Sequence, residues 1–589
     1  MTDKLQTTSY WSEPDWLGQR LEKWVESLPD WTPAEYCKLR VEQFTDRTSA
    51  MQKRLGMPLI VAFLGGTGTG KSTLINALLG KTIVREGKQR PTTDQPILVC
   101  RPEIDPANWG IDVSDIRVEK HDLPSLARTV FIDCPDPDTT ENEKLRLSNL
   151  ARLRAVLPLC DIIIVTGTQQ KYRSRKVADE LADAAPGARL LFVQTHADKD
   201  IDIREDWAEV LKDKYETGSM FFVDSQTAIT EQLAGKEPSG EFGELYRLLT
   251  KDLNDESALR VRLANYFDLA EETTTLCREE IETNWPVVRK LQEKIEDERK
   301  ELGLILSEKM RQELVQDRRI WETRLLDQIT TQWGYSPFSI VLQTYQRLGS
   351  IVVGMALARA RSIPQLVALG TVESVRSIRK WSDSKRVKEK LALENYWEEN
   401  TLRESNLVLS GFARDAGIQT ESIETVIDES QKAGNSFVQV ISGELNTVIE
   451  RLVFQHNTLF TRVTYETLVS VMLLFVLWRP AYNYFYESFF SGEIWPLSNY
   501  IVSIFWLLTW CLALLLVFLL SLNLGLQREI NETSSNWSIA DSMRQVFYRM
   551  DSTCDSIRDF REQLESLRQH IDQLNRQGQS LDKRLGRRK

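Results

Sequence analysis

The chain has 589 residues, with 74 Lys+Arg against 85 Asp+Glu, a formal net charge of −11. At about 150 residues per domain, the length implies several structural units with ample cores, and the acidic balance argues against a general nucleic-acid binder, which needs a basic face to neutralise phosphates. Seven scattered cysteines without a C-x-x-C, and four histidines at no ligand spacing, point to a reduced compartment with no disulfide partner and no His-built metal site.

The N-terminal MTDKLQTTSYWSEPDW has no apolar run of signal-peptide length. Residues 1–56 are Trp-rich and predicted helical. Thr32-Pro33-Ala34-Glu35 has the form of a capping box with proline at the first helical position.

Residues 57–255 alternate short apolar runs with amphipathic stretches, the pattern of an α/β domain with a mostly parallel sheet and helices on both faces. The buried-strand run Pro58–Leu64 leads directly into Gly65-Gly66-Thr67-Gly68-Thr69-Gly70-Lys71-Ser72, and Thr73–Leu79 reads as a helix stopped by Gly80. Strand, G-x-x-x-x-G-K-S, helix is the context a P-loop requires. Its glycines let backbone N–H groups curl around phosphates at the positive end of a helix. Lys71 is placed to reach the β- and γ-phosphates, and the Ser72 hydroxyl to ligate Mg²⁺.

Three later segments refine the ligand. Arg128–Ile132 runs into Asp133-Cys134-Pro135-Asp136, where Asp133 is placed to hold Mg²⁺ through water. Asp161–Val165 is another buried strand, and Arg189–Gln194 runs into Thr195-His196-Ala197-Asp198. A carboxylate at Asp198 accepts from both the N1–H and the 2-amino group of guanine, a donor pair that adenine lacks. Between P-loop and Asp133, the polar turn Arg90–Pro96 offers Thr93, a threonine that closes onto Mg²⁺ and the γ-phosphate. Expected ligands are therefore GTP and Mg²⁺.

Residues 256–465 are mostly charged, helix-period sequence with few glycines, a predicted helical trunk. Within it, Gly349–Arg361 is apolar with small residues and reads as helix packing, with insertion into a bilayer surface as the alternative. Residues 466–526 carry a membrane signal. Ile501–Leu522 is uncharged and long enough to cross a bilayer core of about 30 Å. Thr467–Trp478 is too short alone. Extended through Ala481–Tyr486 it spans, but it then embeds Arg479, which must snorkel or pair. A two-span hairpin is expected, with one span plus a re-entrant or interfacial helix as the alternative; the aromatic connector Tyr482–Trp495 suits an interface.

Over 527–589, Met543, Phe547, Met550, Cys554, Ile557, Leu564, Leu567, Ile571, Leu574, Leu581 and Leu585 fall mostly at alternating three- and four-residue steps, a coiled-coil seam. Packing on the chain's own helices is the first reading of this C-terminal heptad helix, self-association the second. The basic end Lys583–Lys589 reads as a solvated terminus, with anionic lipid the alternative.

The block Phe63–Gly80, with Pro91-Thr92-Thr93, Asp133-x-Pro135 and Thr195-x-x-Asp198, resembles the translation-factor-related class of P-loop GTPases. The layout of leading helices, G domain, helical trunk, membrane hairpin and heptad helix resembles the dynamin superfamily, nearest the mitofusin and bacterial dynamin-like branch. The resemblance implies a membrane-integrated GTPase that tethers, fuses or remodels bilayers and forms a GTP-dependent homodimer or higher oligomer across the nucleotide face. It implies a G domain and C-terminal tail facing the cytoplasm, at the cytoplasmic (inner) membrane if the source is bacterial. A membrane-anchored switch that recruits a protein partner is the alternative. Two residues depart from the family. Asp136 stands where a glycine N–H meets the γ-phosphate, which predicts slow basal hydrolysis. His196 stands where a lysine packs over P-loop and base, and reads equally as a base-stacking group or an ordinary loop residue.

Overall fold

In the computed structural model of the chain, the apolar runs of the α/β region become strands of one seven-stranded sheet. The structure describes residues 12–85, 95–109, 116–136, 151–173, 181, 187–253, 255–316, 318–346, 396–492, 494–535, 537, 539–578 and 585–588. The chain folds as two compact units, Met1–Pro286 together with Asp555–Lys589, and Val287–Cys554.

The first unit is built on β1 (Leu59–Leu64), β2 (Ile97–Cys100), β3 (Arg117–Lys120), β4 (Thr129–Asp133), β5 (Ile162–Gly167), β6 (Arg189–Gln194) and β8 (Met220–Phe222); a short β7 (Tyr215–Glu216) lies outside the main sheet. Spatial order is β3-β2-β4-β1-β5-β6-β8. All pairings are parallel except β2 with β4. All six residues of β1 are buried, as parallel strands covered on both faces must be. Their period-two alternation sends Leu59, Val61 and Phe63 into one core and Ile60, Ala62 and Leu64 into the other. β1 carries the P-loop and lies between β4 and β5, so the loops leaving all three converge beside it.

Helices α1 (Ser12–Glu26) and α2 (Thr32–Gln52) belong to this unit. The expected capping box is not formed. Trp31, in extended conformation, is the N-cap, no side chain caps the helix, and Thr32 already lies in its first turn. Pro33 needs no N–H there, which suffices to start the helix. α3 (Lys71–Leu79) follows the P-loop. The long α4 (Asp255–Gln316) begins in this unit and contains Pro286, where the backbone ladder loses one donor.

The seam of the C-terminal helix is spent inside the chain. Ile557, Phe560, Leu564, Leu567, Ile571 and Leu574 are buried. Phe560 stacks on Trp24 at 4.3 Å between centroids, and its carbonyl accepts from the Trp24 indole. Leu581 lies outside the described residues. At the basic end, Arg587–Arg588 forms β9, antiparallel to β7, and Gly586 exchanges two backbone hydrogen bonds with Leu190, each 2.8 Å; Lys583, Arg584 and Lys589 lie outside the described residues.

The second unit is helical among its described residues. It includes the rest of α4, α5 (Ile423–His456), α6 (Leu459–Tyr482) and α7 (Leu497–Ser535), and the start of α8 (Tyr548–Gly578). Trp333, Phe338, Tyr465 and Phe518 form an aromatic cluster with centroids 4.9–5.7 Å apart. α6 starts earlier than the apolar run suggests because Thr458 caps it, accepting from the Thr461 N–H. It continues through a π turn, so Leu459–Phe490 and Leu497–Ser534 are two helices long and apolar enough to cross a membrane by length and composition. Arg479 pairs with Glu487 at 3.4 Å and lies over the Trp495 ring. Gly349–Arg361 lies outside the described residues.

Candidate nucleotide site

The loop Gly65–Gly70 turns tightly between β1 and α3. A side chain at Gly65 would strike Thr166 Oγ1 at 2.3 Å and its carbonyl at 2.7 Å, and Gly70 adopts φ +76°, a left-handed conformation that favours glycine. Inside the loop, the Thr69 hydroxyl bonds Gly66 O and Thr166 Oγ1, both at 2.8 Å. The loop is therefore braced from β5.

Lys71 opens α3 and is buried. Its ammonium donates to Gly65 O at 2.6 Å and Gly66 O at 3.2 Å. Burial pulls its pKa down, and the carboxylates of Asp133 and Asp136 oppose that shift. The Ser72 hydroxyl donates to Asp133 Oδ2 at 2.8 Å, and Asp133 is fully buried at the end of β4. A hydroxyl and a buried carboxylate in one corner are hard oxygen donors of the kind Mg²⁺ takes when phosphates and water supply the rest. Thr73 follows in the first turn of α3. Thr93 lies outside the described residues.

The segment after β6 packs directly on the P-loop. Thr195 Oγ1 donates to Thr69 O at 2.8 Å. A methyl group at Gly70 would meet Thr195 Oγ1 and His196 Cε1 at 3.2 and 3.3 Å. His196 therefore sits against the P-loop, in a left-handed conformation (φ 60°) uncommon outside glycine. Asp198 is on the exposed part of the turn and pairs with Lys199 at 2.8 Å. The hydrogen bond from Lys199 holds its carboxyl below the usual range, so it is an anionic acceptor at neutral pH.

Three contributors are not legible as motifs. Gln194 braces the turn through Ile201 O at 2.6 Å and Ile203 N at 2.9 Å. Thr166 supports the P-loop, and the Lys171 ammonium, just past β5, donates to Thr67 O. The only sequence hint is position: Thr166 and Lys171 lie at or past the carboxyl end of a strand neighbouring the P-loop strand, where open α/β sheets build their sites. Asp136, which the sequence places near the terminal phosphate, is buried; its carboxylate accepts from both the N–H and the hydroxyl of Thr67.

A sequence family described as 50S ribosome-binding GTPase matches residues 60–194, the stretch from β1 to the end of β6. No curated protein matches the chain. Among solved structures, two chains of an oligomerised bacterial dynamin pair, described as a mechanism for long-range sensing and tethering of membranes, are 14% and 13% identical. They cover 94% of this chain and 95% and 94% of their own lengths, with TM-scores of 0.37 and 0.36. Residues 60–194, which carry the P-loop and strands β1 to β6, are similar to that GTPase family.

Proposed function

We propose that this chain is a membrane-integrated GTPase of dynamin-like plan, which binds and hydrolyses GTP with Mg²⁺ to tether, fuse or remodel bilayers. The observation that carries the reading is the presence, in one chain, of a braced P-loop site and two long apolar helices with outward-facing residues such as Phe475, Trp478, Phe505 and Trp506. In this reading Lys71 neutralises the β- and γ-phosphates, and the backbone of Gly65–Gly70 cradles them. Ser72 and Asp133 would hold Mg²⁺, with the Thr93 hydroxyl proposed as a further oxygen donor. Asp198 selects guanine, while Thr195 and His196 lock that turn onto the P-loop. The metal, when bound, supplies charge neutralisation for the leaving diphosphate.

A two-span insertion is favoured over one. Residues 1–286 and 555–589 share one compact unit, which supports an even number of bilayer crossings between them. GTP places that unit on the cytoplasmic side. GTP-dependent dimerisation is part of the proposal. A second reading, a slow membrane-anchored switch, draws support from the Asp136 contact to Thr67.

The test uses the full chain reconstituted in liposomes, with GTP against ATP turnover and with vesicle clustering and lipid mixing followed in parallel. The expected outcome is GTP-selective turnover with clustering, abolished by Lys71→Ala; Asp198→Asn should lose guanine preference and keep the fold. GTP binding without any effect on vesicles would favour the switch. Equal competition by ATP would remove Asp198 from its role.

A further inference from the structure

Thr67 is the third residue of the P-loop, and both of its side-facing donors are already engaged. Its N–H and its hydroxyl point at one carboxylate oxygen of Asp136. Asp136 is only 9% exposed and lies three residues beyond Asp133, on the loop that leaves β4. Ser72 and Asp133 would hold Mg²⁺ in that corner, where it would neutralise charge on the terminal phosphates. The Asp133–Asp136 side of the P-loop is therefore the terminal-phosphate side. Two cations share the neighbourhood: Lys71, whose ammonium interacts electrostatically with Asp136, and Lys171, seated on Thr67 O.

A phosphate oxygen and the Asp136 oxygen cannot both accept from the Thr67 N–H, and two anions at that range in a largely dry site repel strongly. We propose that Asp136 is an internal competitor of the terminal phosphate, a carboxylate that seats on Thr67 in the ground state, selects diphosphate over triphosphate, and must leave before the triphosphate seats. The inference rests on the GTPase reading and goes beyond it by assigning the departure from glycine a specificity role. A glycine there offers a donor to the phosphate; this aspartate occupies the donor opposite.

The test is equilibrium binding by the full chain in detergent, titrated with a fluorescent GDP and a fluorescent non-hydrolysable GTP analogue, for the wild type, Asp136→Asn and Asp136→Gly. Asparagine keeps the shape and removes the charge; glycine removes both, and serves should the first variant fold poorly. Each is expected to raise affinity for the triphosphate about tenfold while changing GDP affinity less than about threefold. Parallel gains for both nucleotides would overturn the proposal, because Asp136 would then act on the site as a whole. Unchanged affinities would overturn it as well. Wild-type GDP binding that ATP does not displace is the separate check on the GTPase reading, so its failure is distinguishable from failure of the competitor role.

Discussion

Arg262, on the first turns of α4, is buried to the same 2% side-chain exposure as its partner Asp161. Its guanidinium donates to both Asp161 oxygens at 3.1 and 3.0 Å, and to the carbonyls of Met57 and Pro58 at 3.0 Å. Asp161 also accepts from the Ile60 N–H at 2.9 Å. One side chain thus ties the entry to β1, the entry to β5 and α4 together. Removing one member of a buried pair strands the other's charge, at about 3–5 kcal/mol. Arg262→Ala should lower the thermal midpoint of the nucleotide-binding unit by several degrees in calorimetry; a midpoint within a degree of wild type would refute this account. In the sequence, Asp161 reads only as the start of a strand. Its partner lies 101 positions away in a charged helical stretch, where an arginine ordinarily faces water.

The tail strand β9 shows the same limit for a whole element. Lys583–Lys589 is a run of basic residues, the usual mark of a solvated end. Yet Arg587 pairs with Glu216 at 2.9 Å and with Asp268 at 3.5 Å, and Asp268 also pairs with Arg189 at 2.9 Å. Burial raises the Asp268 pKa against those two arginines. Gly586 is the point of closest approach: a side chain there would meet Glu216 O at 2.2 Å. Gly586→Val should release the strand and expose the bonds after Arg587 and Arg588 to trypsin, read by mass spectrometry of the intact chain. The expected cost is about 1–3 kcal/mol. Cleavage as slow as in wild type would mean the tail docks without needing glycine.

In the helical unit, α5 carries a second element-scale prediction. Burial, reinforced by the neighbouring Glu421 carboxylate, pushes Glu429 up to about 7 from an ordinary 4.5; the backbone of Tyr548 and Phe547 opposes the shift. A carboxyl raised in the folded state favours folding while protonated, so its contribution is full below about 4.5 and is lost as pH rises through about 7. Glu429→Gln mimics the protonated form. It should stabilise the unit at pH 8 by about 1 kcal/mol, allowing for solvent screening of a half-exposed group, and leave it unchanged at pH 4.5. Thermal melts at the two pH values decide it. A gain of equal size at both would mean the carboxyl does not titrate between them.

At the scale of the whole molecule, the placement of residues 555–589 with residues 1–286 bears on topology. Tags at Met1 and at Lys589 should both be protease-accessible from the same face of sealed vesicles. Protection of one and not the other would demand an odd number of crossings and contradict the compact unit. Arg479, the residue that makes a first span awkward, is matched by Glu487 one helical stretch on. Asn483 donates to the same carboxylate at 2.6 Å. A paired charge at the end of a span is far cheaper than a lone one.

What the sequence determined by itself is local. Glycine spacing in Gly65–Gly70, the apolar run before it and the helix after it dictate a P-loop, because few backbones satisfy that conformational demand and that hydrophobic pattern together. Period-two and period-3.6 patterning likewise determined the sheet region and the long helices. Tertiary structure decided which polar groups meet: Asp136 with Thr67, Arg262 with Asp161, and Arg587 with Glu216 and Asp268. Patterning records only whether a residue favours water or the interior. The partner of a buried charge is set by chain segments scores of positions away, and only the folded geometry brings them within hydrogen-bond reach.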